Sequence, residues 1–172
     1  NAEFRKMDAE HLDFADRTFD CVVCALGLFL FPGMQAALRE MYRVCKQDGH
    51  IGVSVFGKTP PPFSPALPIM IQQFALYQVG VQMPQPIAYE PEEVEAWLSR
   101  TGFRSIRTRS ETKEIVYASL EDWWALLLTV GPAATIREMS EEVRARFKDE
   151  YLARLRPLLL QDGLHQTVGM VY

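Results

Sequence analysis

The sequence predicts a protein of the α/β class, an open and mostly parallel sheet with helices on both faces. Two apolar runs of strand length, residues 19–26 and 50–56, are rich in the β-branched side chains that strands favour. Between and after them lie segments whose apolar residues repeat at the helical period. Alternation of this kind is typical of open α/β sheets, which bind ligands beyond the carboxyl ends of their strands.

The composition is that of one globular domain of 172 residues, with 48% hydrophobic and 23% charged residues. Lys and Arg total 18 against 22 Asp and Glu, a net charge of −4, so sequence-independent nucleic-acid binding is not expected. No apolar run approaches the about 20 residues that span a bilayer, and the first residues lack the apolar region of a signal peptide. We expect a cytoplasmic protein without a membrane span. The absence of an initiator Met suggests a fragment, although tag removal or processing would give the same beginning.

Three cysteines occur, and two of them form a C-x-x-C pattern at Cys21 and Cys24. The pattern lies in a predicted strand, where residues three apart point to opposite faces. No second pair of Cys or His residues at metal-binding spacing completes a site. We therefore expect no metal, and we interpret these thiols as small hydrophobic side chains.

The first half of the chain reads as alternating strands and a helix. Residues 4–8 predict a short strand, and residues 19–26, apolar on both faces, predict a central parallel strand covered by helices on each side. A helix is expected over residues 34–46, with Asp48-Gly49 as a left-handed stop. Residues 50–56 predict another buried strand. The expected buried face of the helix consists of Met34, Ala37, Leu38, Met41 and Cys45.

Prolines divide the middle of the chain. Five prolines within residues 58–68 exclude a regular helix or a central strand. A helix over residues 69–79 is expected next. Pro91 is typical of a first helical position, and Gly102 is typical of a helix end, so a further helix is expected between them.

The last third predicts an edge strand, two helices and a final strand. Residues 103–117 alternate polar and apolar side chains, as a strand near the sheet edge does. Ser119 begins a capping-box pattern for one helix, and Ser140 is expected to cap a second. Residues 166–172 predict the last strand.

Three segments together resemble a known family. They are MDAEHLDF at 7–14 followed by Phe19-Asp20, REMYRVCKQDG at 39–49, and EPEEVEAWLSRTGF at 90–103. These are similar to motifs of class I S-adenosylmethionine (SAM)-dependent methyltransferases, in particular the quinone-biosynthesis-like group that acts on small molecules. The resemblance implies a Rossmann-like sheet, SAM as the cofactor, and a single domain (residues 1–172) with helical cap insertions at about 58–89 and 118–165.

The resemblance also implies a cofactor site. In the family, a carboxylate at the position of Asp8 accepts from the adenine amino group, and the backbone at the next residue meets a ring nitrogen. The end of the following strand passes the methionine part of SAM. The implied cofactor-binding residues are Asp8, Ala9, Glu10, Ala25, Leu26 and Gly27. The alternative for Asp8 is that it only caps its own turn.

The acceptor of the methyl group is expected to be small and apolar or planar. Leu28 and Phe29 would lie near the transferred methyl, unless they belong to an ordinary strand-to-helix turn. The cap insertions carry further aromatic residues that suggest such an acceptor, although they can equally form the core of the caps. These further substrate-binding candidates are Phe63, Phe74, Tyr77, Trp123 and Trp124.

Methyl transfer from a sulfonium needs alignment and exclusion of water more than covalent help from the protein. No catalytic triad is therefore expected. An oxygen or nitrogen acceptor could need a general base, and His165 is the weak catalytic candidate. A surface or packing role for His165 is the alternative.

One family element is missing from the sequence. No G-x-G-x-G occurs, although the family opens with a strand that ends in this loop against the cofactor. In the family's strand order, 3-2-1-4-5-7-6, strands one and two would be absent and strand four, residues 19–26, would have an unpaired edge. We expect weak or no SAM binding by this chain alone and a possible homodimer through that edge.

Two functions remain open on these residues. The first is a small-molecule methyltransferase, active in its complete form; the second is a non-catalytic binding or interaction module that kept the sheet. A strand ending in G-x-G-x-G encoded ahead of Asn1 would favour the first, and a start codon there the second. A nicotinamide-dependent oxidoreductase shares the sheet but does not account for Asp8-Ala9-Glu10.

Overall fold

The computed structural model describes residues 2–80 and 86–172, which divide into two compact units, each with its own hydrophobic core. Unit 1 consists of Asn1–Lys58, Met83–Glu111 and Met170–Tyr172. Unit 2 consists of Thr59–Gln82 and Thr112–Gly169.

Strands and helices alternate, as the sequence predicts. The strands are β1 (Phe19–Ala25), β2 (Cys45–Gly57), β3 (Ala88–Tyr89), β4 (Ser110–Tyr117), β5 (Leu159–Leu160) and β6 (Gly163–Val171). The α-helices are α1 (Met34–Val44), α2 (Ala66–Leu76), α3 (Pro91–Thr101), α4 (Leu120–Leu127), α5 (Ala133–Glu138) and α6 (Glu141–Leu155). Short 3₁₀ helices occupy Leu28–Leu30 and Arg156–Leu158.

The sheet of unit 1 is mostly parallel. Strand β1 pairs in parallel with β2, and β2 pairs in parallel with β3. The end of β6 runs antiparallel to β2, with Val171 opposite Val55. The neighbours β1, β2 and β6 thus follow strands 4-5-7 of the expected order. Two parallel strands that end together create the ligand-binding edge of such a sheet.

Helices α1 and α3 supply the apolar cover of this sheet. The inward face of α1 is the one predicted, with Leu38 fully buried, although the helix ends at Val44 because β2 begins at Cys45. In α3, Glu90 and Glu93 form a capping box around the predicted Pro91 start. Both helices contribute to a core that also holds Val53, Val55 and Trp97.

The expectation that helices cover both faces of β1 is wrong for the described residues. Val22 and Cys24 pack against the core of unit 1, whereas Val23 is 67% exposed and Cys21 is exposed. An apolar run shows that a strand can be buried, but only tertiary packing determines what covers its second face.

Two local predictions in unit 1 are also wrong. Residues 4–8 form no strand, and Phe4 is 94% exposed, because no described strand lies beside them to complete a hydrogen-bonded ladder. Gly49 belongs to β2 and has no left-handed φ. It is required for close packing instead, since a Cβ there would lie 2.8 Å from the Cys45 sulfur and 2.9 Å from the Asp20 carbonyl oxygen.

Unit 2 is built around aromatic side chains from α2, α4 and α6. Trp123, Phe147 and Tyr151 are almost fully buried at its centre. The predicted caps are confirmed: the Ser119 hydroxyl accepts from the Asp122 N–H at 3.0 Å, and the Ser140 hydroxyl accepts from the Val143 N–H at 3.3 Å. These hydrogen bonds satisfy amide groups that a helix start leaves free.

Unit 2 also contains β-strands. β5 and β6 form an antiparallel pair, and β4 neighbours β6. The strand predicted over residues 103–117 begins only at Ser110, and Arg109 just before it exchanges backbone hydrogen bonds of 2.6 and 3.0 Å with Tyr172. Among the described residues, none of the helices is both long enough and apolar enough to cross a membrane.

Candidate functional site

The turn at Asp8 is closed by its own hydrogen bonds. The Asp8 carboxylate accepts from the Glu10 N–H at 2.9 Å through Oδ1, and the Asp8 carbonyl accepts from the His11 N–H at 3.1 Å. The side chain is 66% exposed, and its Oδ2 lies 3.7 Å from His11 Nδ1. Asp8 therefore caps its turn, as the alternative predicted, and keeps carboxylate surface available to a ligand.

Ala9 offers a free donor beside this carboxylate. Its backbone N–H has no hydrogen-bond acceptor among the described residues, and the residue is half-buried. A carboxylate acceptor at Asp8 and an amide donor at Ala9 thus stand at adjacent positions of one turn.

Glu10 joins this turn to the loop that leaves β1. Its Oε1 accepts from the Gly33 N–H at 2.7 Å, and a Cβ at Gly33 would collide with the same carboxylate. The glycine therefore permits the close approach. The Asp8 turn therefore adjoins the loop that follows β1 at Gly33, between the 3₁₀ helix Leu28–Leu30 and α1.

Backbone strain marks the end of β1. Leu26 has φ of 51°, a left-handed conformation that leucine rarely adopts and that costs about 1–3 kcal/mol. Its N–H donates to the Ser54 carbonyl on β2 at 2.9 Å, which holds the strained residue in place. Residues held in this way occur often at ligand sites, so Leu26 is a candidate on geometry as well as on resemblance.

Gly27 and Cys24 pack closely behind this strained residue. Gly27 has an ordinary φ of −114°, and a Cβ on it would lie 3.0 Å from the Cys24 sulfur. Burial raises the pKa of the Cys24 thiol, which keeps it protonated near neutral pH. The prediction that this cysteine acts as a small hydrophobic residue fits this environment.

The side chains of Leu28 and Phe29 point into the core of unit 1. Leu28 is fully buried, Phe29 is 6% exposed, and the Phe29 ring lies 5.6 Å from that of Phe56. Their neighbour Leu30 is 53% exposed in the same 3₁₀ turn. Of these three side chains, Leu30 is the one most accessible to a ligand, and the sequence analysis did not select it.

Glu40 and Arg43 of α1 form a charged pair that hydrogen-bonds the residues after the Asp8 turn. Neither residue was a site candidate on the sequence. Glu40 Oε2 accepts from the Leu12 N–H at 2.8 Å, while Arg43 donates to the carbonyls of Leu12 and Phe14 at 2.9 and 2.7 Å. The Arg43 guanidinium lowers the pKa of Glu40 to about 2. The signal was the R-E-x-x-R segment, whose second and fifth residues are neighbours on one helix face.

Tyr89 carries a second feature that the sequence analysis missed. Its hydroxyl is buried without a hydrogen-bond partner among the described residues, and burial raises its pKa, so it remains a donor. Tyr89 pairs with Gly57 at the carboxyl end of β2, the edge at which such sheets bind ligands. An unsatisfied buried hydroxyl costs about 1–3 kcal/mol, which favours a role in binding a ligand or an ordered water.

In unit 2, the aromatic substrate candidates are largely core residues. Trp123 is 1% exposed, and its indole N–H donates to the Tyr151 hydroxyl at 2.8 Å. Phe74 stacks on Phe147 with ring centroids 4.9 Å apart. Trp124 is also buried, whereas Phe63 and Tyr77 are partly buried against the same core. The core interpretation is favoured for Phe74 and Trp123.

His165 lies on β6 with a carboxylate at each ring nitrogen. Nδ1 is 3.0 Å from Glu114 and Nε2 is 2.9 Å from Asp162, and the hydrogen bonds to Asp162 and Glu114 raise the pKa of His165. Both nitrogens are donors only in the imidazolium, which has no lone pair with which to accept a proton. This environment favours a structural role. Within residues 2–80 and 86–172, no group of His, Cys, Asp and Glu is arranged to hold a metal ion.

Comparison with known proteins agrees with the resemblance. The family described as "Methyltransferase domain" matches residues 1–53. The ubiquinone/menaquinone biosynthesis C-methyltransferase UbiE of Haemophilus ducreyi is 46% identical over 65 residues, 38% of this chain and 24% of that protein. Its Klebsiella pneumoniae counterpart is 45% identical over 58 residues, 34% of this chain and 23% of that protein. The match thus spans about a quarter of the length of these relatives.

Solved structures extend the likeness of the fold to nearly the whole chain. One is a putative methyltransferase from Bacillus halodurans, which is 17% identical. Its alignment spans 98% of this chain and 74% of that protein, with a TM-score of 0.58. A second structure is a putative methyltransferase from an antibiotic biosynthesis pathway of Anabaena variabilis, which is 14% identical. Its alignment spans 99% of this chain and 73% of that protein, with a TM-score of 0.57. Residues 1–53 are therefore similar in sequence to the methyltransferase domain family, and nearly the whole chain shares the fold of these solved methyltransferase structures.

Proposed function

We propose that this chain is part of a SAM-dependent methyltransferase that transfers a methyl group from SAM to a small, apolar or planar molecule. The observation that carries the proposal is the contact between Glu10 and Gly33, which brings the Asp8 turn against the loop leaving β1. When bound, SAM supplies a methyl group that its sulfonium already activates. The protein's task is to bind, orient and exclude water.

The adenine part of SAM fits the Asp8 turn. Adenine presents an amino donor next to a ring nitrogen acceptor. The exposed Asp8 carboxylate is a matching acceptor, and the free Ala9 N–H is a matching donor. Glu10 contributes by holding the turn in place through Gly33 rather than by a free carboxylate.

The methionine part fits the end of β1. The left-handed Leu26 turns the backbone of Ala25, Leu26 and Gly27 along the carboxyl edge of the sheet. Leu28 and Phe29 are core residues, so Leu30, which is 53% exposed, is the neighbouring apolar side chain that can help to keep water from the reacting centre.

The acceptor class rests on the names of the relatives. The curated relatives are named for ubiquinone and menaquinone biosynthesis, which supports an acceptor of quinone type. Contacts from Phe63, Tyr77 and Trp124 to that acceptor remain a prediction.

Nuclear magnetic resonance of the ¹⁵N-labelled chain tests the site even if binding is weak. Adenosine is expected to shift the amide signals of Ala9 and Glu10, and S-adenosylhomocysteine to shift those of Leu26 and Gly27 as well. Since no glycine-rich loop contributes contacts, we expect a dissociation constant on the order of 1 mM or weaker.

An Asp8→Asn variant separates the proposed site from general binding. It keeps an oxygen to close the turn but removes the charge, so adenosine affinity is expected to fall about fivefold or more. Asp13→Asn, an exposed neighbour, is the control and is expected to change nothing. Shifts that avoid both segments, or equal affinity in the Asp8 variant, would overturn the assignment.

Association and location complete the proposal. We infer a homodimer through β1, because this strand pairs only with β2 among the described residues and presents the exposed Val23. We infer the cytoplasm as the location, since Cys21, Cys24 and Cys45 are free thiols and reducing compartments preserve thiols.

A further inference from the structure

A cavity on the surface of unit 2 combines an apolar wall with unpaired positive charges. Its volume is about 500 Å³, within the range of small-molecule binding sites. It lies among α4, α5 and α6 and contains none of the residues assigned to the cofactor. The side chains on which its chemistry depends are Trp124, Leu128, Arg137, Glu141, Arg144 and Lys148.

The charged and the apolar side chains that line the cavity lie on different helices. Glu141, Arg144 and Lys148 are three and four residues apart on α6, so they share one face of that helix. Trp124 and Leu128 are four residues apart at the end of α4 and form the apolar side. The charged wall and the apolar wall therefore come from two different helices.

The cations of this cavity are not neutralised. Arg144 and Lys148, both half-buried, form no side-chain hydrogen bond or ion pair within the part of the chain that the structure describes. Arg137 donates to the Leu128 carbonyl at 2.6 Å, which leaves most of its five N–H donors free. Glu141 is the single carboxylate among the lining residues, a local excess of two positive charges in a chain of net charge −4.

Trp124 adds an aromatic surface and a donor. Its ring lies 6.3 Å from that of Phe147 and 6.4 Å from that of Tyr151, so it is held against the core of the unit. Its indole N–H has no described partner, unlike that of the neighbouring Trp123. Trp124 is 7% exposed, so it presents only a small part of its ring to the cavity, and because that ring is already fixed it loses little side-chain entropy on binding.

We propose that this cavity binds an organic anion with an apolar or planar body. Its carboxylate, sulfonate or phosphate lies between Arg144 and Lys148 on α6, within reach of Arg137, and its body packs on Trp124 and Leu128. A neutral ligand would leave the half-buried cations without partners, whereas an anionic group forms charge-assisted hydrogen bonds with them. The proposal concerns α4, α5 and α6 alone, shares only Trp124 with the predicted acceptor contacts, and requires no methyl transfer.

A pair of related fluorescent probes tests the charge requirement. The anion 1-anilinonaphthalene-8-sulfonate is expected to bind the full chain, and its neutral analogue N-phenyl-1-naphthylamine to bind at least about tenfold more weakly. Arg144→Gln combined with Lys148→Gln is expected to weaken sulfonate binding by about tenfold or more, since two charge-assisted contacts are lost. The control, Arg107→Gln with Arg156→Gln, changes the net charge equally at exposed positions away from the cavity.

Two readouts make the result decisive. Thermal melting of each variant must match that of the parent chain, and the indole N–H signal of Trp124, identified with Trp124→Phe, is expected to shift on addition of the sulfonate. Equal binding of the charged and neutral probes would overturn the proposal. So would an unchanged affinity in the double variant, or the same loss in the control pair.

Discussion

At the scale of single residues, Glu40 shows how one carboxylate can organise a loop. The Glu40 side chain is 19% exposed, accepts a hydrogen bond from the Leu12 N–H and is paired with Arg43 at 2.7 Å. The same guanidinium bonds the carbonyls of Leu12 and Phe14. The pair therefore fixes the segment that follows the candidate adenine turn.

The lowered pKa of Glu40 predicts a dependence of stability on pH. With a pKa of 4.5 in the unfolded chain and about 2 in the folded one, its contribution is present above pH 4.5 and is lost as pH falls toward 2. Glu40→Gln is expected to lower the free energy of unfolding at pH 7 by about 1–2 kcal/mol. Urea unfolding should show this difference shrinking at pH 3. An equal loss in the exposed control Glu138→Gln would contradict the prediction.

At the scale of elements, α3 ends where Gly102 takes a φ of 113°. This conformation lets the Gly102 N–H bond the Leu98 carbonyl at 3.2 Å and turns the chain toward Phe103, whose ring meets Tyr42 edge-on at 4.9 Å. The end of α3 therefore requires glycine for two reasons. The φ is positive, and a Cβ on Gly102 would lie 3.2 Å from the Tyr42 ring.

Substitution of this glycine measures both requirements. Gly102→Ala is expected to lower the free energy of unfolding by about 1–2 kcal/mol, because alanine is strained at positive φ and crowds Tyr42. Gly131→Ala is the matched control, as no atom lies within 4 Å of a Cβ there. Denaturant unfolding of the two variants compares them directly, and equal stabilities would show that the helix end tolerates a side chain.

At the scale of the whole molecule, the edge of β1 is the feature with the largest expected consequence. Val23, 67% exposed, lies on a strand whose backbone groups are paired only toward β2 in the described ranges. Native sheets normally protect such edges with charge, proline or a covering segment. An unprotected edge predicts association, and a second copy of the chain offers the same edge.

Sedimentation velocity over a range of concentrations tests this association. The chain is expected to dimerise, and Val23→Lys is expected to shift it to monomer, because a charge beside the edge disfavours strand pairing. Ile71→Lys is the control, since it places the same charge at an exposed apolar position on α2. A monomer at every concentration, or dissociation by the control alone, would refute the edge as the interface.

The sequence by itself determined the elements whose signals are local. Pro91 and Gly102 bounded α3 and Ser140 began α6, because caps and turns depend on residues only a few positions apart. The motif around Asp8 also predicted a turn, which the structure shows; that this turn binds the cofactor stays a prediction.

Only the tertiary structure decided which distant residues meet. It paired Glu10 with Gly33, buried Phe74 and Trp123 in a core, and left one face of β1 uncovered. It also placed the cations of α6 beside Trp124. Burial and pairing depend on contacts between residues far apart in the chain, and a periodic pattern shows which face can be buried but not what covers it.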